Sequence, residues 1–536
     1  MAGSRESGAW GLLAAILWLA TALSVPGQPD LRPVMPEVDG VHPVRALQAL
    51  DTAFVPGGGF LDKYPPLGSV LMGLAVSATD EGLAEEVAGL IEQSPAERRA
   101  RLWPLRDRMA DAIAAERWIT RLAMAAAIGF LAALILGVSG RSGWRAGLPA
   151  VLAALAFGFS YPVLYYSSTT NVDAPTLAAG LAMLCFVVNK RWVAAALAAA
   201  TAVAFKDPAF VLGPVLLIAA WAGGRRDRMR RVLTVAIVGL LAYGLLAGAI
   251  TGPGTWWEHV RYLASGGVAG PDRIDHGSAG AWWQLAGYGG DLARGAIGYT
   301  GVLLGLIGLF VLLGRNRSAG ALMFGVLAST WLLFVAPAGF VYARFLLLPM
   351  ALLALGVGLL LMGLFAPAEE GRRPVARWVL LLLFVALAWH KDGRVLDFHR
   401  DVLPRADARL QLPDLLDQHV RNGASIVLFA DEREHGPPID PERWALDVRG
   451  LDAAGTSLLE WRNGPHDERP DALLFMSFDN ESPTGRETPD APTPALGDRL
   501  GGIYEVVEVL GDRTGAVPER TLAVRPTITL LLRLGG

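Results

Sequence analysis

The chain is short of cysteine, of charge and of internal repetition, and each shortage excludes something. A single thiol, Cys185, forms neither an intrachain disulfide nor a thiolate metal cluster. Because it lies inside an apolar run, it reads as a packing residue rather than a reactive one. Charged side chains make up 18% of the 536 residues, hydrophobic ones 53%, and the mean hydropathy is +0.39. That balance excludes an ordinary soluble globular protein, in which charged residues reach about 25%. The formal net charge of -3 points to neither a nucleic-acid partner nor an acidic tail, so the information lies in where the basic residues sit. No sequence repeat is apparent.

What is present is a series of apolar runs long enough to cross, or nearly cross, ~30 Å of hydrocarbon. They occupy residues 8–25, 118–138, 146–162, 172–189, 192–205, 208–223, 232–250, 296–314, 319–336, 345–365 and 375–390. The chain reads as a polytopic α-helical membrane protein of about eleven transmembrane helices. The first run has an alternative reading as a signal peptide, since Ala20-Thr21-Ala22 resembles a small-residue cleavage site, although its core is long and Arg5 is balanced by Glu6. Either way residue 26 onward lies outside.

Basic residues in short loops stay on the cytoplasmic side, while long loops cross largely regardless of charge. With the N-terminus inside, the inside loops hold Arg141 and Arg145, then Lys190 and Arg191, then Arg225, Arg226, Arg228, Arg230 and Arg231. Arg315 and Arg317, and Arg372, Arg373 and Arg377, complete the set. Runs 192–205 and 208–223 are short, and fusing them across Pro208 would throw the 225–231 cluster outside. Kept apart, they meet at Lys206-Asp207 on the outer face. The outside pieces are then 26–117, the short loops 161–173 and 340–344, the loop 251–294 and the tail from Lys391. Within the first, 81–117 predicts helices lying flat on the membrane surface, or solvated helices packed on the protein.

The tail changes composition and carries β-type runs at 425–430, 472–478, 503–510 and 528–532, with a helical pattern at 412–420 and a Pro- and Thr-rich loop at 482–494. It predicts a small extracytoplasmic α/β domain over 391–536, after a membrane domain over 1–390 that includes the external loop 26–117.

Five constellations on the outer side carry chemistry. In "PEVDGVHPVRAL", 36–47, Glu37, Asp39 and His42 fall within six residues. A carboxylate there can take a proton from an attacking hydroxyl or amine. The same three residues could instead bind a divalent metal, though their spacing matches no dedicated motif, or Asp39 could simply cap a helix. In "DKYPPL", 62–67, two prolines hold Lys63 and Tyr64 in extended chain before an apolar helix; lysine and tyrosine are also plain interfacial anchors. "FSYPVLYYSSTTNVDAPTLAAG", 159–180, turns through a polar loop to Asp173, placed to cap the following helix. "FKDPAF", 205–210, squeezes Lys206 and Asp207 between two runs, where charges are paired, functional or snorkelling. "FVYARFLLLPMALLALG", 340–356, puts Arg344 at the outer end of a long run, against the basic-inside trend, so an anionic partner is expected.

In this order along residues 8–390, the five resemble the GT-C superfamily of polytopic glycosyltransferases. The likeness is strongest to the branch of the protein O-mannosyltransferases and the lipid A aminoarabinose transferase. Such enzymes often carry two adjacent acids in the first loop; here Val38 separates Glu37 from Asp39. The resemblance implies a sugar donor linked through phosphate to a polyprenol and transfer with inversion on the extracytoplasmic face of the inner (plasma) membrane. The acceptor is a protein, lipid or glycan. It assigns Asp39 as general base with Glu37 as second choice, and Arg344, Lys206 and Lys63 to the donor phosphate. Tyr64, Asp173 and His42 would position substrate, and no metal cofactor is required. Asp62 is left without a role beyond pairing with Lys63. The rival classes are a transporter, which predicts midplane polar residues and an internal repeat, and a non-catalytic cell-envelope assembly protein. A ligase moving a whole glycan is a variant of the enzyme reading.

Overall fold

The structure is a computed structural model. It describes residues 2–24, 41–54, 64–90, 101–223, 226–264, 278–365, 408–430, 439–440, 442–450, 457, 460–461, 465, 469–478, 503–510 and 526–533. Glu37, Asp39, Asp62, Lys63 and the expected run 375–390 lie outside the described residues.

All ten expected runs that fall on described residues are helical. In chain order the elements are α1 (Ala2–Ser24), α2 (Pro43–Thr52), α3 (Pro66–Thr79), α4 (Leu83–Val87), α5 (Arg106–Ser139), α6 (Trp144–Gly158), α7 (Tyr161–Ser167) and α8 (Asp173–Val188). There follow α9 (Trp192–Phe205), α10 (Leu212–Ala222), α11 (Arg228–Leu246), α12 (Pro253–Ala264), α13 (Ala279–Arg315), α14 (Arg317–Ala338) and α15 (Leu347–Phe365). Six described helices are long and apolar enough to cross a bilayer, or seven if the bent pair α6–α7 is one span. The helices 66–79, 173–188, 192–205 and 207–222 are apolar but shorter. The chain is thus a mostly helical, multi-pass membrane protein.

Packing explains several departures from the sequence reading. α1 is part of the bundle: Trp18 is fully buried and its indole N–H donates to the Gly158 carbonyl at 2.9 Å. α5 starts at Arg106, not near 118, so the charged stretch before the apolar run is the first turns of one 34-residue helix, about 51 Å long. The other described residues of the 81–117 region pack on the protein, the second of the two arrangements expected. Leu83, Val87, Leu90 and Leu102 form a small core with Val44, Leu47, Val76 and Met109, and Arg108 clamps it by hydrogen bonds to Asp80 at 2.5 and 2.8 Å and to Glu86. α13 absorbs residues 279–294 of the expected 251–294 loop; it bends at Gly298, whose φ of 73° suits glycine. It then crosses α15 so closely that a Cβ at Gly308 would meet the Gly356 backbone at 2.0 Å, the small-residue contact that lets membrane helices approach.

In the tail, helix α16 (Ala408–His419) and strands β1 (Ser425–Ala430), β2 (Ala445–Gly450), β3 (Ala472–Phe478), β4 (Tyr504–Leu510) and β5 (Pro526–Arg533) build one sheet of order β2-β1-β3-β5-β4. β1 is parallel to β2 and β3, and β5 is antiparallel to β3 and β4. Alternate side chains divide between two cores. Ile426, Leu428, Leu474 and Met476 pack on Leu412 and Leu416 of α16, while Val427, Phe429, Leu473 and Phe475 face Trp461 and Tyr504. Four strands match the expected runs; the fifth, β2, joins the sheet at its edge.

Candidate active site

The chain after Ser160 does not form the expected exposed loop. α7 bends 72° away from α6, and the polar segment Ser167–Asn171 that follows is buried. Hydroxyls buried away from water need partners, and backbone carbonyls supply them: Ser167 donates to Leu164 at 2.7 Å and Ser168 to Tyr165 at 2.9 Å. From α5, the Thr120 hydroxyl reaches the carbonyls of Thr169 and Ser167 at 2.7 and 3.1 Å. From the other side, the Val41 amide donates to the Thr170 carbonyl at 3.0 Å. The turn is therefore gripped from two directions, and it delivers Asp173 to the first position of α8.

Asp173 does not cap that helix. Its Oδ1 accepts a 2.6 Å hydrogen bond from Lys206 Nζ, both side chains being only 3–4% exposed. Its Oδ2 has no hydrogen-bond partner among the described residues. Lys206 is the extended residue that ends α9, with φ of -157°, and it is buried rather than set on an outer surface. Its ammonium also lies 5.1 Å from the centre of the Tyr64 ring and 5.4 Å from that of Phe345, cation–π contacts that suit a site closed to water.

Arg344 sits in a 3-10 turn, Ala343–Leu346, just before α15. Its guanidinium lies 5.0 Å from the Tyr342 ring and 5.4 Å from that same Phe345 ring. One phenylalanine thus has a lysine and an arginine from distant parts of the chain beside it. Below them Val41, Ala46, Met72 and Val172 form an apolar cluster against which Tyr64 packs.

Asp207 opens the 3-10 turn Asp207–Val211 that follows Lys206. Its Oδ2 lies 3.2 Å from Nε2 of His259 on α12, and α12 also brings Trp256, whose indole N–H donates to Tyr243 at 3.4 Å. Tyr64, Pro65, Pro66, Tyr243, Thr255, Trp256 and His259 line a cavity between α12 and the start of α3. His42 caps α2, its Nδ1 accepting from the Val44 amide at 3.1 Å, so the cap expected at Asp39 falls on the histidine instead. Among the described residues no three His, Cys, Asp or Glu side chains converge as metal ligands.

The structure therefore gathers Tyr64, Asp173, Lys206 and Arg344. His42 follows Val41, whose amide bonds to the turn before Asp173, while Asp39, Glu37 and Lys63 lie outside the described residues. Sequence reading missed His259, Tyr243, Trp256 and the shared ring Phe345. Pro253 followed by a Trp-Trp-Glu-His run was the available sign of a short helix, with proline in its first turn.

No family model matches the chain, and neither does any characterised protein by sequence. Among solved structures it is similar to ArnT from Cupriavidus metallidurans bound to undecaprenyl phosphate, at TM-score 0.50 and 13% identity, over 96% of this chain and 97% of that one. The apo form of the same ArnT gives 0.48 at 13% identity, over 96% of this chain and 97% of that one. The Archaeoglobus fulgidus oligosaccharyltransferase tethered with an acceptor peptide gives 0.48 at 14%, over 93% of this chain and 69% of that one. At such identities the likeness is one of fold: the chain shares the fold of the ArnT structure that holds undecaprenyl phosphate.

Proposed function

We propose that the chain is a glycosyltransferase that moves a sugar from a polyprenyl-phosphate donor to an acceptor on the extracytoplasmic face. The observation that carries this reading is the placing of Lys206 and Arg344 beside one half-buried ring, Phe345, with Asp173 holding the lysine. A buried lysine and a half-buried arginine brought together suit an anionic ligand better than a neutral one. A fold shared with a protein whose structure holds undecaprenyl phosphate supports a lipid-linked phosphate as that ligand.

In this scheme an acceptor hydroxyl or amine attacks the anomeric carbon from the face opposite the phosphate, so the configuration inverts. The bond from that carbon to the phosphate oxygen breaks, and the polyprenyl phosphate leaves with its electron pair. Negative charge grows on the leaving oxygen, where Arg344, Lys206 and Lys63 stabilise it. Asp39, or Glu37 in its place, takes the acceptor proton. Val41, two residues past Asp39, is bonded to the turn that presents Asp173, which supports the acidic stretch working beside the cations. Asp173 and Tyr64 keep Lys206 aimed, and residues of the cavity beneath α12 position the substrate. The scheme requires no metal.

The test is transfer of label from radiolabelled polyprenyl-phosphate sugars in membranes containing the unmutated chain, Asp39→Asn, Glu37→Gln or Arg344→Ala. Loss of transfer in Asp39→Asn and Arg344→Ala is expected. Unchanged transfer in both acid variants would overturn the base assignment, and solute flux in vesicles without transfer from any lipid donor would replace the enzyme by a transporter.

A further inference from the structure

The cavity between α12 and the start of α3 shares a wall with the two cations. Tyr64 lines it, and the centre of the same ring lies 5.1 Å from Lys206 Nζ. Asp207, the residue after Lys206, lies 3.2 Å from His259 of the cavity lining. A ligand whose phosphate meets Lys206 therefore has this cavity beside it.

The lining is of two kinds. Tyr64, Tyr243 and Trp256 give it aromatic walls, and the Trp256 ring is held by its N–H to the Tyr243 hydroxyl at 3.4 Å. Gly248 adds bare backbone: at its φ of 74° a side chain is strained, and a Cβ would meet the Ala53 carbonyl oxygen at 3.3 Å. Among these surfaces stand the Thr255 hydroxyl and the buried His259 imidazole, whose orientation the Asp207 carboxylate fixes.

A sugar ring matches both kinds, since its C–H faces rest on aromatic rings and the hydroxyls at its edge need hydrogen bonds. A polyprenyl chain would lay hydrocarbon against the His259–Asp207 pair, and a second phosphate would meet a carboxylate. We propose that this cavity is the subsite for the transferred sugar of the lipid-linked donor, with Trp256 against its ring and the His259–Asp207 pair reading its hydroxyls. The inference rests on the transferase reading and adds to it the two residues, Trp256 and His259, that decide which sugar is moved.

The full-length purified protein carrying Thr255→Cys is labelled with maleimide in detergent, the native Cys185 being buried. The probes are polyprenyl-phosphate sugars bearing a hexose or a pentose, and undecaprenyl phosphate with no sugar. At ten times its dissociation constant, the sugar donor that is transferred should slow labelling roughly tenfold, and undecaprenyl phosphate should leave the rate unchanged while raising the melting temperature. Equal slowing by undecaprenyl phosphate would give the cavity to the lipid chain, and no slowing by a sugar donor that raises the melting temperature would leave it without the sugar; either overturns the proposal. Lipid donors that neither raise the melting temperature nor yield transfer overturn the transferase reading itself, and the proposal with it. With Thr255 intact, His259→Gln and Trp256→Ala should each raise the donor KM roughly tenfold, the loss of about one contact, and change the ratio of kcat/KM between hexose and pentose donors. Trp256→Phe should keep that ratio, and affinity for undecaprenyl phosphate should match the parent in all three. The parent's ratio in both His259→Gln and Trp256→Ala overturns the assignment.

Discussion

Lys206 and Asp173, 33 positions apart, are joined by a 2.6 Å hydrogen bond with both side chains buried. Removing one member of such a pair strands the other charge away from water, and costs about 3–5 kcal/mol. Lys206→Met and Asp173→Asn should therefore each lower the melting temperature in detergent by several degrees. The double variant should be more stable than the sum of the two losses predicts, because it leaves no lone charge. Strictly additive losses would mean that the pair is not coupled.

Arg344 lies over Tyr342 and Phe345, which orient its guanidinium without using its donors. If those donors meet the donor phosphate, Arg344→Ala removes hydrogen bonds to a charged group, each worth about 1.5–3 kcal/mol. The apparent affinity for undecaprenyl phosphate should fall by at least roughly tenfold. Arg344→Lys should recover only part of it, since an ammonium cannot present the same planar fork. Titration of the purified variants with the lipid, followed by tryptophan fluorescence, reads both, and equal affinity in Arg344→Ala would remove the residue from the phosphate site.

The helices were legible because hydrophobicity reports burial in lipid and in protein alike, and the expected run 192–205 has the same limits as α9. Site residues were legible where charge broke an apolar pattern, as at Lys206 and Arg344. What stayed hidden depended on contacts between distant segments. Nothing in the stretch Ser167–Asn171 says that Thr120 and Val41 bury it, and hydroxyl-rich sequence ordinarily reads as exposed. Phe345 looked like one more apolar residue until two cations were placed beside it. His259 sat in a segment read as loop, with its partner Asp207 more than fifty positions away. The edge strand β2 was missed because Asp447 and Arg449 interrupt its apolar pattern and bond to each other at 2.8 Å.

His259 and Asp207 connect α12 to the turn that carries Lys206. Without that link the helix should open more often over the cavity lined by Thr255 and Trp256. A cysteine in place of Thr255 reports this cleanly, because the native Cys185 is buried. Maleimide labelling of Thr255→Cys should quicken roughly tenfold when His259→Ala is added, the loss of about one hydrogen bond to a charged group. His259→Gln, which can still donate to Asp207, should label nearly as slowly as the parent. Equal rates in all three would show that other contacts hold α12.

Asp471 ties the tail sheet together at the start of β3. Burial pushes its carboxyl up, but hydrogen bonds from the Ser425 amide and hydroxyl, with the Arg533 and Arg421 guanidiniums, outweigh this and hold it below the ordinary value of 3.8. The Arg533 contact is 2.7 Å and the Ser425 amide 2.9 Å. A carboxylate lowered by folding adds stability that is fully present above its unfolded value and is lost as pH falls through the lower folded one. The sheet should therefore hold its stability from neutral pH down to about 4 as far as this group decides it, then weaken below. Asp471→Asn should remove that pH-dependent part and be less stable than the parent at pH 7. Urea unfolding at each pH, read by hydrogen exchange of the peptides over 425–430 and 472–476, measures both effects. A variant with the parent's stability at pH 7 and the parent's acid slope would show that Asp471 is not what anchors the sheet.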